Sequence, residues 1–115
     1  MSQLRLRTLI ACDKTIVTTR GQIDLSTSAQ LSSCLMAYVA QGCRRLVLNL
    51  SHTTYIDSSG LAVLSRVHKT MRGTNAQLVL VGCQPTVVRL LHIVGFHHLF
   101  SIEETQPRRL RHAIV

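Results

Sequence analysis

The sequence predicts an α/β fold: a mixed, mostly parallel sheet of about five strands with about four helices packed on it. Three observations carry that expectation. Residues 46–50 and 78–81 are short, almost unbroken apolar runs, the pattern of strands buried on both faces. After each comes a stretch whose apolar residues recur every three or four positions, the period of an α-helix. The chain opens differently, with strict alternation and then a β-branched run, which reads as a hairpin.

In chain order, residues 4–9 alternate Leu, Arg, Leu, Arg, Thr, Leu and suit a half-buried strand. Asp13-Lys14 supplies a turn, and residues 15–19 form a second strand that Gly21 interrupts. Ser26 or Thr27 caps a first helix with Leu31, Leu35 and Val39 on one face, and Gly42 ends it. The strand at 46–50 leads into a polar loop over 51–55. A second helix spans Ser58 to Arg72, capped by Asp57 or Ser58 and closed by Gly73. Its inner stripe is Leu61, Leu64, Val67 (or His68) and Met71.

After the strand at 78–81, Pro85 opens a third helix, with Val88, Leu91 and marginally His92 turned inward, and Gly95 stops it. Residues 99–102 form a short edge strand, and Glu103-Glu104 begin a surface tail. Residues 105–115 are a basic tail or a short helix running from Pro107 through His112. The order is β-β-α-β-α-β-α-β-α, and right-handed crossovers gather the helices over the sheet. A length of 115 residues fits one domain, 1–115, with its core at about 4–104.

Composition narrows the function. A hydrophobic share of 46% argues against disorder, and every apolar run is strand-sized, too short to span a membrane. Nothing resembles the apolar core of a secretion signal, so a cytoplasmic location is expected. The four cysteines, Cys12, Cys34, Cys43 and Cys83, form no C-x-x-C pair and read as small buried hydrophobes. The six histidines lack ligand spacing, so no metal and no cofactor is expected.

Thirteen Lys and Arg against five Asp and Glu give a net charge of +8, which suits nucleic acid or an acidic protein partner. Two Phe, two Tyr and no Trp leave few platforms for stacking bases, so direct nucleic-acid binding is not expected. The one local cluster, Arg108-Arg109-Leu110-Arg111, reads as a solvated tail or as a steering patch.

The informative corner is Ile56-Asp57-Ser58-Ser59-Gly60-Leu61, at a strand-to-helix junction. A helix start presents free N–H groups and a positive dipole end, so the element tolerates phosphate. Capping alone would explain an Asp or a Ser here. It does not explain a glycine in the first turn, or more hydroxyls than one cap uses. A glycine there would let a partner approach closely. No Gly-x-Ser-x-Gly elbow, phosphate loop or dinucleotide fingerprint is present, so an enzyme is not expected.

Gly21-Gln22-Ile23-Asp24, residues 46–51, and Tyr55 through Leu61 together resemble the anti-sigma factor antagonists, the small bacterial STAS domains. Gly82, Pro85, Val88, Leu91 and Gly95-Phe96 resemble the family's later half. The resemblance implies a phosphorylation switch at Ser58. An anti-sigma factor that is itself a serine kinase would phosphorylate Ser58, and the unphosphorylated antagonist would bind that kinase and free a sigma factor. A phosphatase would restore the serine. Asp24, Ser26, Thr27, Asp57, Ser59 and Gly60 would share the partner-facing surface with Ser58. A weak homodimer stays open, as does a role as accessory subunit of a lipid-transport or stress-sensing complex. Gln22 stands where the family commonly has glutamate, and Ala62 where a glycine is frequent.

Overall fold

Alternating Leu and Arg at the start of the chain gives one wet and one dry strand face, and the sheet is built outward from there. A computed structural model describes residues 3–99 and 101–104. Strand β1 (Leu4–Ala11) pairs antiparallel with β2 (Lys14–Gly21) through Cys12-Asp13, one residue earlier than the expected Asp13-Lys14 turn. Then follow α1 (Ser28–Ala40), β3 (Arg45–His52), α2 (Ser58–Arg72), β4 (Gln77–Cys83), α3 (Pro85–Ile93), a 3₁₀ turn at Phe96–His98, and β5 (Ser101–Glu104). The strands lie in the order β1-β2-β3-β4-β5, parallel from β2 onward.

That order has a consequence. Every crossover from β2 to β5 steps the same way across the sheet, so right-handed connections put all three helices on one face. There Val17, Leu46, Leu48, Leu50, Leu78 and Leu80 of the strands meet Leu31 and Leu35 of α1. Leu64, Val67 and Met71 of α2 and Leu91 of α3 join the same cluster. Burying each such side chain is worth about 1.5–3 kcal/mol.

The mixed α/β architecture expected from the sequence is the one observed, with five strands and three α-helices among the described residues. Details differ. In α3 the fully inward pair is Val87 and Leu91, one turn apart, whereas Val88 is half-buried and His92 is exposed. Position 92 lies about 100° round the helix from Leu91, beyond the buried stripe. The last strand starts at Ser101 rather than Leu99, because Gly95 (φ 80°) and the 3₁₀ turn consume the intervening chain. Glu103 and Glu104 therefore belong to β5 and not to a tail. The expected basic helix at 107–112 lies outside the described residues.

Candidate functional site

The loops that leave β2 and β3 carry the same four-residue pattern: Ile23-Asp24-Leu25-Ser26 and Ile56-Asp57-Ser58-Ser59. Their isoleucines are buried and form an isolated parallel bridge. Ile23 N–H donates to the Tyr55 carbonyl at 3.0 Å, and Asp57 N–H donates to the Ile23 carbonyl at 3.1 Å. Beneath them Thr19 and Thr53, both fully buried, share a hydroxyl–hydroxyl bond of 2.5 Å. The two loops are thereby held side by side.

Above the bridge each loop makes the same clamp. In the first, Asp24 Oδ1 accepts from Ser26 N–H at 3.0 Å and from the Ser26 hydroxyl at 2.8 Å. In the second, Asp57 Oδ1 accepts from Ser59 N–H at 2.9 Å and from the Ser59 hydroxyl at 2.5 Å. An aspartate folded onto the residue two ahead is an Asx-type turn, and it leaves the intervening side chain no inward path. Leu25 is accordingly 81% exposed, and Ser58 is exposed as well.

Ser58 is the first residue of α2, and Asp57 is its N-cap, accepting also from Gly60 N–H at 3.3 Å. The surplus of hydroxyls is now accounted for: Asp57 caps, Ser59 braces Asp57, and Ser58 is left over. Among the described residues none hydrogen-bonds the Ser58 side chain. The Ser59 hydroxyl is the main cause that holds the Asp57 carboxyl below its usual range. The amides of Gly60 and Ser59 add to it, while partial desolvation and the charge of Asp24 oppose it.

Two of the expected partner-facing residues turn out to face inward. A Cβ on Gly60 would sit 2.6 Å from both Ile23 Cγ2 and Ile56 Cγ1. The glycine thus admits the protein's own isoleucines under α2 rather than a partner. Thr27 is 3% exposed, and its hydroxyl donates to the Gln22 carbonyl while accepting from Asp24 N–H, both at 2.9 Å. It occupies the N-cap position of α1 yet makes no side-chain cap, serving as an internal tie for the loop. Asp24, Ser26, Asp57, Ser58 and Ser59 remain on the outer rim.

One rim residue escaped the sequence reading, Leu25. The repeat of Ile-Asp-x-Ser was the available signal. Among the described residues no group of His, Cys, Asp and Glu is arranged to hold a metal ion, and no helix is long and apolar enough to cross a membrane.

The STAS domain family model matches residues 5–108. The chain belongs to the STAS domain family. It is 35% identical over 98 residues to BtrV of Bordetella bronchiseptica, whose name assigns it to the anti-sigma factor antagonists. That alignment covers 85% of this STAS chain and 79% of BtrV. An anti-sigma factor antagonist from Mycobacterium paratuberculosis has the same fold, with a TM-score of 0.84 at 24% identity over 95% of this chain and 92% of that one. The Bacillus cell-fate determinant SpoIIAA, solved in its phosphorylated form, shares the fold at a TM-score of 0.69 and 14% identity, covering 96% and 99%.

Proposed function

We propose that this STAS domain is a cytoplasmic anti-sigma factor antagonist whose two-loop rim binds an anti-sigma factor serine kinase and so releases a sigma factor. Phosphorylation of Ser58 by that kinase ends the binding, and a phosphatase restores it. The chain itself catalyses nothing in this scheme. One observation carries the reading: the Ser58 side chain is exposed at the start of α2 and makes no hydrogen bond among the described residues, while its neighbour Ser59 is tied to Asp57 Oδ1.

The electrostatics explain the switch. The rim holds Asp24 and Asp57, and a phosphoserine would add about −1.5 to −2 more charge. The helix dipole partly offsets that charge in the free protein. Ser59 and Gly60 N–H groups, the usual phosphate ligands at a helix start, are already taken by Asp57. Burying the surplus charge against a partner costs roughly 3–5 kcal/mol. At about 1.4 kcal/mol per decade, affinity falls by two to three orders of magnitude. A phosphorylated SpoIIAA with this fold is consistent with the free domain tolerating the group.

The test is incubation with a candidate kinase and ATP, followed by mass spectrometry of the modified residue. Modification at Ser58, with Ser58→Ala retaining kinase binding and Ser58→Asp losing it, supports the reading. Equal binding by the two variants sinks it.

A further inference from the structure

Three of the 13 Lys and Arg residues, Arg5, Arg7 and Arg20, gather on the β1 side of the sheet. Register places Arg5 directly opposite Arg20, and Arg20 opposite His52, so a row of cationic or cation-capable side chains crosses β1, β2 and β3. Arg7, two residues along β1 on the same face, lies opposite Thr18. Like charges set directly across a strand pair disfavour that pair, so the fold gains nothing from this arrangement. With Gln30 and Asn49, the three arginines and His52 line a groove of about 670 Å³ with no carboxylate in its walls among the described residues.

A second groove of about 390 Å³ shares Arg5 and Gln30 with the first and extends to Ser26 and Thr27. The cationic channel therefore reaches Ser26 of the Asp24–Ser26 clamp, whose loop the Ile23–Ile56 bridge holds beside the loop of Ser58. We propose that this channel is the second half of the docking face and receives an acidic segment of the anti-sigma factor partner, a step that rests on the function proposed above.

Charge complementarity and continuity with the rim select that occupant. Among the described residues no Phe, Tyr or Trp lines either groove, so the usual platforms for stacking nucleic-acid bases are missing there. A second copy of the chain is a poor match, since it carries 13 Lys and Arg and only five carboxylates.

The test compares the whole wild-type chain, the double variant Arg5→Gln/Arg20→Gln, and Arg89→Gln as an exposed control on α3. Two probes are used: the kinase that modifies Ser58, and an octaglutamate peptide that needs no kinase. The double variant is expected to bind the kinase about 10- to 100-fold more weakly than wild type at low salt, with the difference closing as salt is raised. The peptide should give saturable amide shifts along β1 and β2 that the double variant lacks, while Arg89→Gln behaves as wild type. A melting temperature at or above wild type separates lost docking from lost folding, because the substitutions remove opposed charges.

Unchanged kinase affinity and salt dependence in the double variant overturn the channel and leave the Ser58 rim standing. Failure of the wild type itself to bind the kinase overturns the function proposed above, and with it the partner assigned here, even where the peptide binds. A DNA 20-mer that outcompetes the peptide reassigns the channel to nucleic acid. A concentration-dependent dimer dissolved by the double variant reassigns it to a second copy. Either result overturns the proposal.

Discussion

The loops Ile23–Ser26 and Ile56–Ser59 are built alike and differ at their third position. Both rest on a buried isoleucine, both fold an aspartate onto the serine two residues ahead, and both push the residue between into solvent. One displays Leu25, the other Ser58. The shared frame is structural, and under the function proposed above the displayed side chains are what a partner would meet. An apolar side chain contributes contact area that does not change, whereas a hydroxyl can acquire charge. The proposed function thus puts affinity and its regulation on neighbouring loops, each open to alteration without rebuilding the other.

The largest effect should come from charging the displayed serine. Ser58→Asp is expected to weaken kinase binding by about two orders of magnitude, somewhat less than phosphorylation because it carries one negative charge instead of nearly two. Its melting temperature should stay close to wild type, since an acidic first-turn residue is favoured by about 0.3–1 kcal/mol at a helix N-terminus. Titration calorimetry alongside thermal melts separates the two. A Ser58→Asp protein that binds as well as wild type breaks the contrast between the loops.

Next in size is the frame itself. Gly60→Ala forces a methyl group to within 2.6 Å of γ carbons on both isoleucines, Cγ2 of Ile23 in the first loop and Cγ1 of Ile56 in the second. Overpacking of this kind costs about 1–3 kcal/mol. Chemical denaturation should show the loss, and amide shifts should appear in both loops together. Shifts confined to the α2 loop would mean that the two clamps are not mechanically joined. Leu25→Ala should do the reverse. It is expected to leave stability within about 0.5 kcal/mol of wild type, and to cost about tenfold in kinase affinity, or about 1.4 kcal/mol.

The sheet and its helices were legible because period and punctuation agree along most of the chain. Leu46, Leu48 and Leu50 read as a buried strand, and Leu61, Leu64, Val67 (or His68) and Met71 as a helix face, of which the structure buries Val67. Legibility failed where backbone geometry decided the outcome. Gly95 and the 3₁₀ turn displaced the last strand by two residues, which no hydrophobic pattern records. At the site, the family resemblance implied one partner-facing surface for Asp24 and Ser58, and it counted on that surface Gly60 and Thr27, which are buried. A glycine required by a close approach looks the same whether the neighbour is a partner or the protein's own core. Leu25 was passed over because an exposed leucine is ordinary, and only the paired clamps single it out.

The smallest effect distinguishes the clamps by charge. Asp57→Ala removes the α2 cap and should cost about 1 kcal/mol. Asp57→Asn keeps a good capping residue and should melt near wild type at neutral pH. The two substitutions separate in acid. The folded Asp57 carboxyl is held below its unfolded value by the Ser59 hydroxyl and then by the Gly60 and Ser59 amides, so the folded state binds its proton less readily. The resulting stability is fully present above the unfolded value of about 4, and is lost as pH falls through the lower folded value. Melts from pH 6 down to pH 2.5 should therefore decline more steeply in wild type than in Asp57→Asn. Parallel curves would show that the Ser59 brace positions the loop without favouring its charge, and the switch would then rest on the geometry of the Ser58 hydroxyl alone.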